Sequence, residues 1–262
     1  MRDLIGRLSA LRRFDLGQSC HVGIPHYPSH PPYLHSLTKL HGDFCLDNGA
    51  SSAADAITLG THTGTHVDAL CHYSLGGRLH GGGKVDELQD WTDGISQHGA
   101  ETMPLFLRRG VLLDVARLFG GGPMAPDAAI DAATLERAEH ASGIRIEQGD
   151  VALVRTAWGS LWGDPRRFVN GLHMPGITLE GAQWLSTRGV AAAGSDTLAL
   201  ELLPSPLMEV HVHLLVESGI HILECLALEE LSAAHVSEFL FVAAPLKLAG
   251  ATGSPLRPYA LA

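Results

Sequence analysis

Residues 61–73 read THTGTHVDALCHY, and they restrict the fold more than any other stretch of the chain. His62, His66, Asp68 and His72 are four groups that bind metals or carry protons, packed into eleven residues. At about 100° per residue, His62 and His66 share one face of a helix, and so do Asp68 and His72. The two pairs then point in nearly opposite directions, so a straight helix cannot bring all four together. An extended stretch puts His66 and Asp68 on one side, and Gly64 supplies a place for the backbone to turn. The segment is therefore expected to be a loop or strand end that curls around a common point. Two imidazoles and a carboxylate suit a divalent ion such as zinc, manganese or iron.

The rest of the chain alternates short apolar runs with helical patterns. Val111–Val115, Val151–Arg155, Val190–Ala193 and Phe239–Ala243 read as strands, and Asp127–Ala141 and Thr178–Thr187 as helices. The Gly149-Asp150 pair marks a turn before the second of these strands. Thr178 with Glu180 resembles a helix start after Pro175-Gly176. The alternation is irregular, which predicts a mixed α/β domain. Pro25–Pro32 (PHYPSHPP) is too rich in proline for a helix or a central strand and reads as an ordered or lid-like loop, which either covers the substrate or packs against a neighbouring subunit. Gly76–Lys84 is a second loop without the spacing of a phosphate cradle. In Val210–Leu226, His211 and His213 alternate along an apolar run and so read as one face of a strand. Glu224 lies inside Ile-Leu-Glu-Cys-Leu, where a buried carboxylate needs an ion, a proton or a cation beside it. His221 reads as a packing or surface histidine.

The 262 residues fit one domain spanning 1–262. The net charge of -10 argues against nucleic acid or an anionic membrane surface as partner. No apolar run approaches the roughly 20 residues of a membrane helix, and the charged N-terminus lacks a secretory apolar core. The four cysteines form no C-x-x-C pair and suit a reducing cytoplasm.

The H-T-G-T-H-V-D-A-L-C-H run resembles the signature of the cyclase family of metal hydrolases, which includes bacterial kynurenine formamidases and isatin hydrolases. Further blocks are similar: Asp15-Leu16 with the proline loop, Gly110–Asp114, Gly149–Thr156, Pro175–Thr178, Gly194–Thr197, the His211–Glu224 segment and Gly253–Pro258. The resemblance implies a swivelling β/β/α fold with a mixed sheet core, assembled as a homodimer or homotetramer. It implies that His62, His66 and Asp68 hold the catalytic ion, Zn2+ or Mn2+, and that His72 is the catalytic histidine. Members with two ions use a further His and Glu, here His211 and Glu224. The sequence departs from the pattern at Leu70-Cys71, where typical formamidases carry a proline-containing pair. The His211-to-Glu224 spacing is one residue longer than in the two-ion members, and that from His213 is one shorter.

The expected chemistry is hydrolysis of a small amide, lactam, imide or ester. A divalent ion lowers the pKa of bound water from 15.7 toward about 7. His72, near an ordinary imidazole pKa of about 6.5, moves the proton as general acid/base. Glu224 serves as a second-ion ligand or holds the attacking water. A serine hydrolase does not fit, because neither Trp158–Gly163 nor Gly194–Thr197 has the G-x-S-x-G spacing. The alternative is a non-catalytic metal or ligand-binding protein on the same fold. Retention of His72, which the three ligands do not need, favours catalysis.

Overall fold

The computed structural model describes residues 1–262. Its centre is a large curled mixed sheet of nine strands, which we number in chain order: β1 (Arg13–Asp15), β2 (His66–Asp68), β3 (Phe106–Asp114), β4 (Val151–Arg155), β5 (Ala192–Ser195), β6 (His221–Glu224), β7 (Glu238–Ala243), β8 (Gly253–Pro255) and β9 (Tyr259–Leu261). Their spatial order is β1-β9-β7-β3-β4-β5-β6-β2-β8. The run from β3 to β6 is parallel, and antiparallel strands extend it on both sides. This is the mixed α/β arrangement the sequence predicts.

The parallel strands are covered on both faces, which is why Val151–Arg155 reads as an unbroken buried run. Ala152, Val154 and Ile222 join a cluster of 24 buried residues on the face carrying helices Ala132–Ser142 and Leu179–Thr187. Val151, Leu153 and Leu223 join Phe14, Phe106 and Phe241 on the opposite face. The alternation follows the two-residue period of a strand.

Several boundaries differ from the sequence reading. The expected helix over Asp127–Ala141 begins at Ala132, because the Asp131 carboxylate caps it by accepting from the Thr134 N–H. Ala129–Ile130 pairs instead with Gly176–Ile177. The Thr178 hydroxyl caps Leu179–Thr187 as expected. The apolar run at Val190 enters the sheet only at Ala192. Gly76–Lys84 contains a short 3-10 turn at His80–Gly82.

The larger correction concerns His211 and His213, which lie on helical backbone over Glu209–Ser218 and not on a strand. The V-H-V-H alternation mimics a two-residue period. However, Val210, Leu214 and Leu215 are the buried apolar positions, at helical spacing. His211 falls on the buried side of that helix, and His213 turns away to pair with Glu217 and Ser186.

Candidate metal centre

The geometry of the centre follows from strand register. His66 and Asp68 project from one face of β2, two residues apart. His66 sits directly opposite Glu224 of β6 in the antiparallel pair, so a residue 158 positions away in the chain becomes a cross-strand neighbour. On the other edge Asp68 faces Gly253 of β8. A side chain at Gly253 would place its Cβ 2.7 Å from the His62 ring, so only glycine lets that imidazole lie there. Gly64, at φ +77°, makes the turn that brings His62 back over β2. The curled loop-to-strand geometry expected for this segment is what forms.

The donors gather around the Asp68 carboxylate, which is wholly buried. His62 Nδ1 lies 2.7 Å from Asp68 Oδ1, and His66 Nε2 lies 3.4 Å from the same oxygen. His66 Nε2 is also 3.3 Å from Glu224 Oε2. His211 Nε2 lies 3.3 Å from Glu224 Oε1 and 3.9 Å from Asp68 Oδ2. The donor atoms of His62, Asp68 and His72 lie within 4.8 Å of one another, as do those of His66, Asp68 and Glu224. Asp68 is shared by both sets, so His72 stands nearer the donors than a division into three ligands and one remote proton carrier implies.

The outer hydrogen bonds orient these rings. His66 Nδ1 donates to the Gly64 carbonyl at 2.8 Å, which leaves Nε2 facing the centre. His211 Nδ1 donates to Glu201 Oε2 at 2.5 Å, and its Nε2 likewise faces inward. His62 Nε2 bonds Thr252 Oγ1 at 2.9 Å. His221, read as a packing residue, is buried and donates to the Asp68 carbonyl at 2.8 Å, fixing β2 from behind. Second-sphere bonds of this kind set the tautomer and direction of a ligating imidazole.

At the centre, three buried polar atoms have no hydrogen-bond partner within the protein: His66 Nε2, Asp68 Oδ2 and Glu224 Oε1. Burial without a partner is costly for such groups. Two carboxylates and several imidazoles around these atoms match the hard and borderline donors that zinc and manganese take. The residues present therefore fit a divalent ion.

The buried carboxylates stabilise added positive charge at the centre. Burial disfavours charge on His66, yet Asp68 and Glu224 together hold its pKa up to about 10. His211 is likewise opposed by burial and held up to about 10 by Glu201, Glu224 and Asp68. Asp68 resists ionisation through burial, but the surrounding histidines, His72 first, keep it well below the usual carboxylate range. His72 departs from its expected ordinary value. Burial pushes it well below 6.5, with the neighbouring imidazoles adding to the effect and Asp68 opposing it. Its ring stacks on His62 at 3.9 Å.

His72, His211 and Glu224 open onto a cavity of about 330 Å3, whose wall includes Tyr27, His30, Tyr73 and Met208. The proline loop, expected to cover the substrate or to pack against a neighbouring subunit, contributes Tyr27, Ser29 and His30 to this lining. Sequence reasoning missed Glu201, Thr252 and His30. Glu201 and Thr252 carry no spacing signal, because only the folded sheet brings them to the ligand rings. His30 lies inside the proline loop, where the sequence carries no signal that separates it from His26.

The sequence profile of the putative cyclase family matches residues 14–202. An isatin hydrolase from Roseibium aggregatum is 26% identical over 249 residues, covering 87% of this chain and 80% of that protein. A kynurenine formamidase from Bacillus mycoides is 25% identical over 245 residues, covering 93% and 94%. A solved structure described as a novel cyclase superposes with a TM-score of 0.88 at 30% identity, covering 99% of this chain and 92% of that one.

Proposed function

The chain belongs to the putative cyclase family, and on that premise we propose that it is a metal-dependent hydrolase that cleaves a C–N bond in a small amide, lactam or imide, or the corresponding ester bond. One observation carries this reading. Three buried donor atoms without partners, on His66, Asp68 and Glu224, meet beside His72 at the wall of a ligand-sized cavity. The relatives named isatin hydrolase and kynurenine formamidase support C–N chemistry.

His62, His66 and Asp68 hold the ion, with Glu224 completing the set and His211 beside it for a second ion. Zinc or manganese, when bound, supplies a Lewis acid that acidifies water and polarises the scissile carbonyl. His72, kept neutral by its burial, takes a proton from the attacking water and returns it to the leaving nitrogen or oxygen. Glu224 offers Oε1 either to an ion or to that water. The cavity wall holds the substrate and limits access of bulk water. His213 takes no part, since its imidazole is engaged with Glu217.

The enzyme works in a reducing cytoplasm, in keeping with four free cysteines, and as a homodimer or homotetramer. The hairpin Leu34–Lys39/Ala54–Thr58 supports assembly: Leu34, Leu37 and Ile57 are each more than half exposed, and an isolated two-stranded hairpin is marginal in water. No helix is long and apolar enough to cross a membrane.

The test is turnover of aryl formamides, lactams, imides and esters by purified protein loaded with zinc or manganese, with and without chelator, alongside metal analysis. Chelator-sensitive hydrolysis is expected. Tight metal binding with no turnover across the set would instead support a metal or ligand-binding protein on this fold.

Glu201 is expected to act through His211. Replacing it with glutamine removes the carboxylate that accepts from His211 Nδ1 and orients the ring. If His211 ligates, Glu201→Gln should weaken metal binding about 10- to 100-fold, measured by calorimetry at fixed pH. Unaltered affinity would remove His211 from the ligand set.

A further inference from the structure

We infer that His80 is a positioning residue for His211, acting through the backbone of the helix that carries it. The inference rests on the reading of His211 as a ligand of a second ion. It gives a role to the Gly76–Lys84 loop, which contributes nothing to either gathered donor set.

The backbone over Val212–Ser218, immediately after His211, is π-helical and wider than an α-helical turn. Such turns are rare and recur at functional sites. The last carbonyls of a helix have no partner within it. Here the Val216 carbonyl accepts from His80 Nδ1 at 2.9 Å. Gly219, which ends the turn at φ +66°, leaves room for the same ring: a Cβ there would lie 2.6 Å from His80 Nε2. His80 therefore both satisfies the widened turn and fills the space beside its end.

The loop is tied in turn to the other half of the centre. Leu79 is buried and packs with Ala69 and Cys71, which lie between Asp68 and His72 in the chain. The Leu79 N–H closes the loop by donating to the Gly83 carbonyl at 2.8 Å. One short loop thus braces the strand end bearing His66 and Asp68 against the helix bearing His211, whose Nε2 lies 3.3 Å from Glu224 Oε1. A side chain that neither lines the cavity nor joins the gathered donors holds the two halves in register.

The test uses His80→Phe, which keeps a ring and removes the donor, and His80→Asn, whose amide N–H2 takes the place of the Nδ1–H. Zinc and manganese affinities are measured by calorimetry at fixed pH, in wild-type and His211→Ala backgrounds, with far-ultraviolet circular dichroism as a check on folding. His80→Phe should weaken binding about tenfold, and His80→Asn should recover most of the loss. Once His211 is alanine, His80→Phe should cost nothing further. Where His211→Ala itself weakens binding, an affinity unchanged by His80→Phe, or lost equally in both backgrounds, overturns the inference. The ring C–H resonance of His211 in metal-free protein, assigned by its absence from His211→Ala, reads position without any ion. It should shift in His80→Phe and return in His80→Asn. A wild-type resonance in His80→Phe, or one displaced equally in both variants, overturns the inference whatever the affinities. If His211→Ala binds metal as wild type does, His211 is not a ligand, and this resonance alone decides whether His80 positions it.

Discussion

An Asp68→Asn protein is expected to fold but to lose metal affinity by more than about a hundredfold, and its turnover with it. Asp68 is the one side chain common to both donor sets, and its Oδ1 touches His62 and His66 at once. Asparagine preserves shape and volume, so β2 and its register with β6 should survive. It also removes the negative charge that offsets the ion and turns an amide N–H2 toward atoms that need an acceptor. Conservative changes one sphere further out cost about 10- to 100-fold, and a shared ligand should exceed them. Metal content of protein purified in parallel with wild type, followed by titration of zinc or manganese, measures the effect. Stoichiometric metal at wild-type affinity would show that Asp68 is not a ligand.

His72→Ala is expected to give the opposite pattern: metal retained, turnover lost. The side chain is partly buried and faces the cavity, and His66, Asp68 and Glu224 remain gathered without it. A positioned general acid/base contributes about a hundred- to ten-thousandfold to rate, so kcat should fall by that range. The pH profile carries the sign. A depressed pKa keeps His72 in its neutral, proton-accepting form as pH falls through 6.5. The acidic limb of kcat/KM should therefore lie below 6.5 in wild type and disappear from the residual activity of the variant. Full turnover by metal-loaded His72→Ala would take this residue out of the mechanism.

How much of this was legible beforehand depended on distance along the chain. The THTGTHVDALCHY segment holds most of its geometry locally: Gly64 turns, His66 and Asp68 share a strand face, and no helix satisfies all four side chains. That part could be read directly, as could Val151–Arg155 and the Thr178 cap. Glu224 was legible from cost alone, because a carboxylate inside Ile-Leu-Glu-Cys-Leu had to find company. Its actual partner, His66, is a matter of register between β2 and β6 that no local pattern encodes. The His211 and His213 run misled because V-H-V-H satisfies a two-residue period over four positions, whereas the burial of Leu214 and Leu215 that favours a helix comes from packing. The expected pKa of His72 failed for a related reason: burial and the stacked His62 ring exist only in the folded protein.

The register of β2 between β6 and β8 has a consequence for assembly of the molecule. The groups proposed to grip the ion come from positions 62–68 and 211–224, so no fragment ending before β6 contains them all. Metal therefore cannot guide the early collapse of the chain. It acts at the end, as a clasp between the final parallel strand and the antiparallel ribbon beyond it, and adds its binding free energy to the finished sheet alone. Loss of the ion would be felt first at that margin, while the interior strands β3, β4 and β5 keep their pairing.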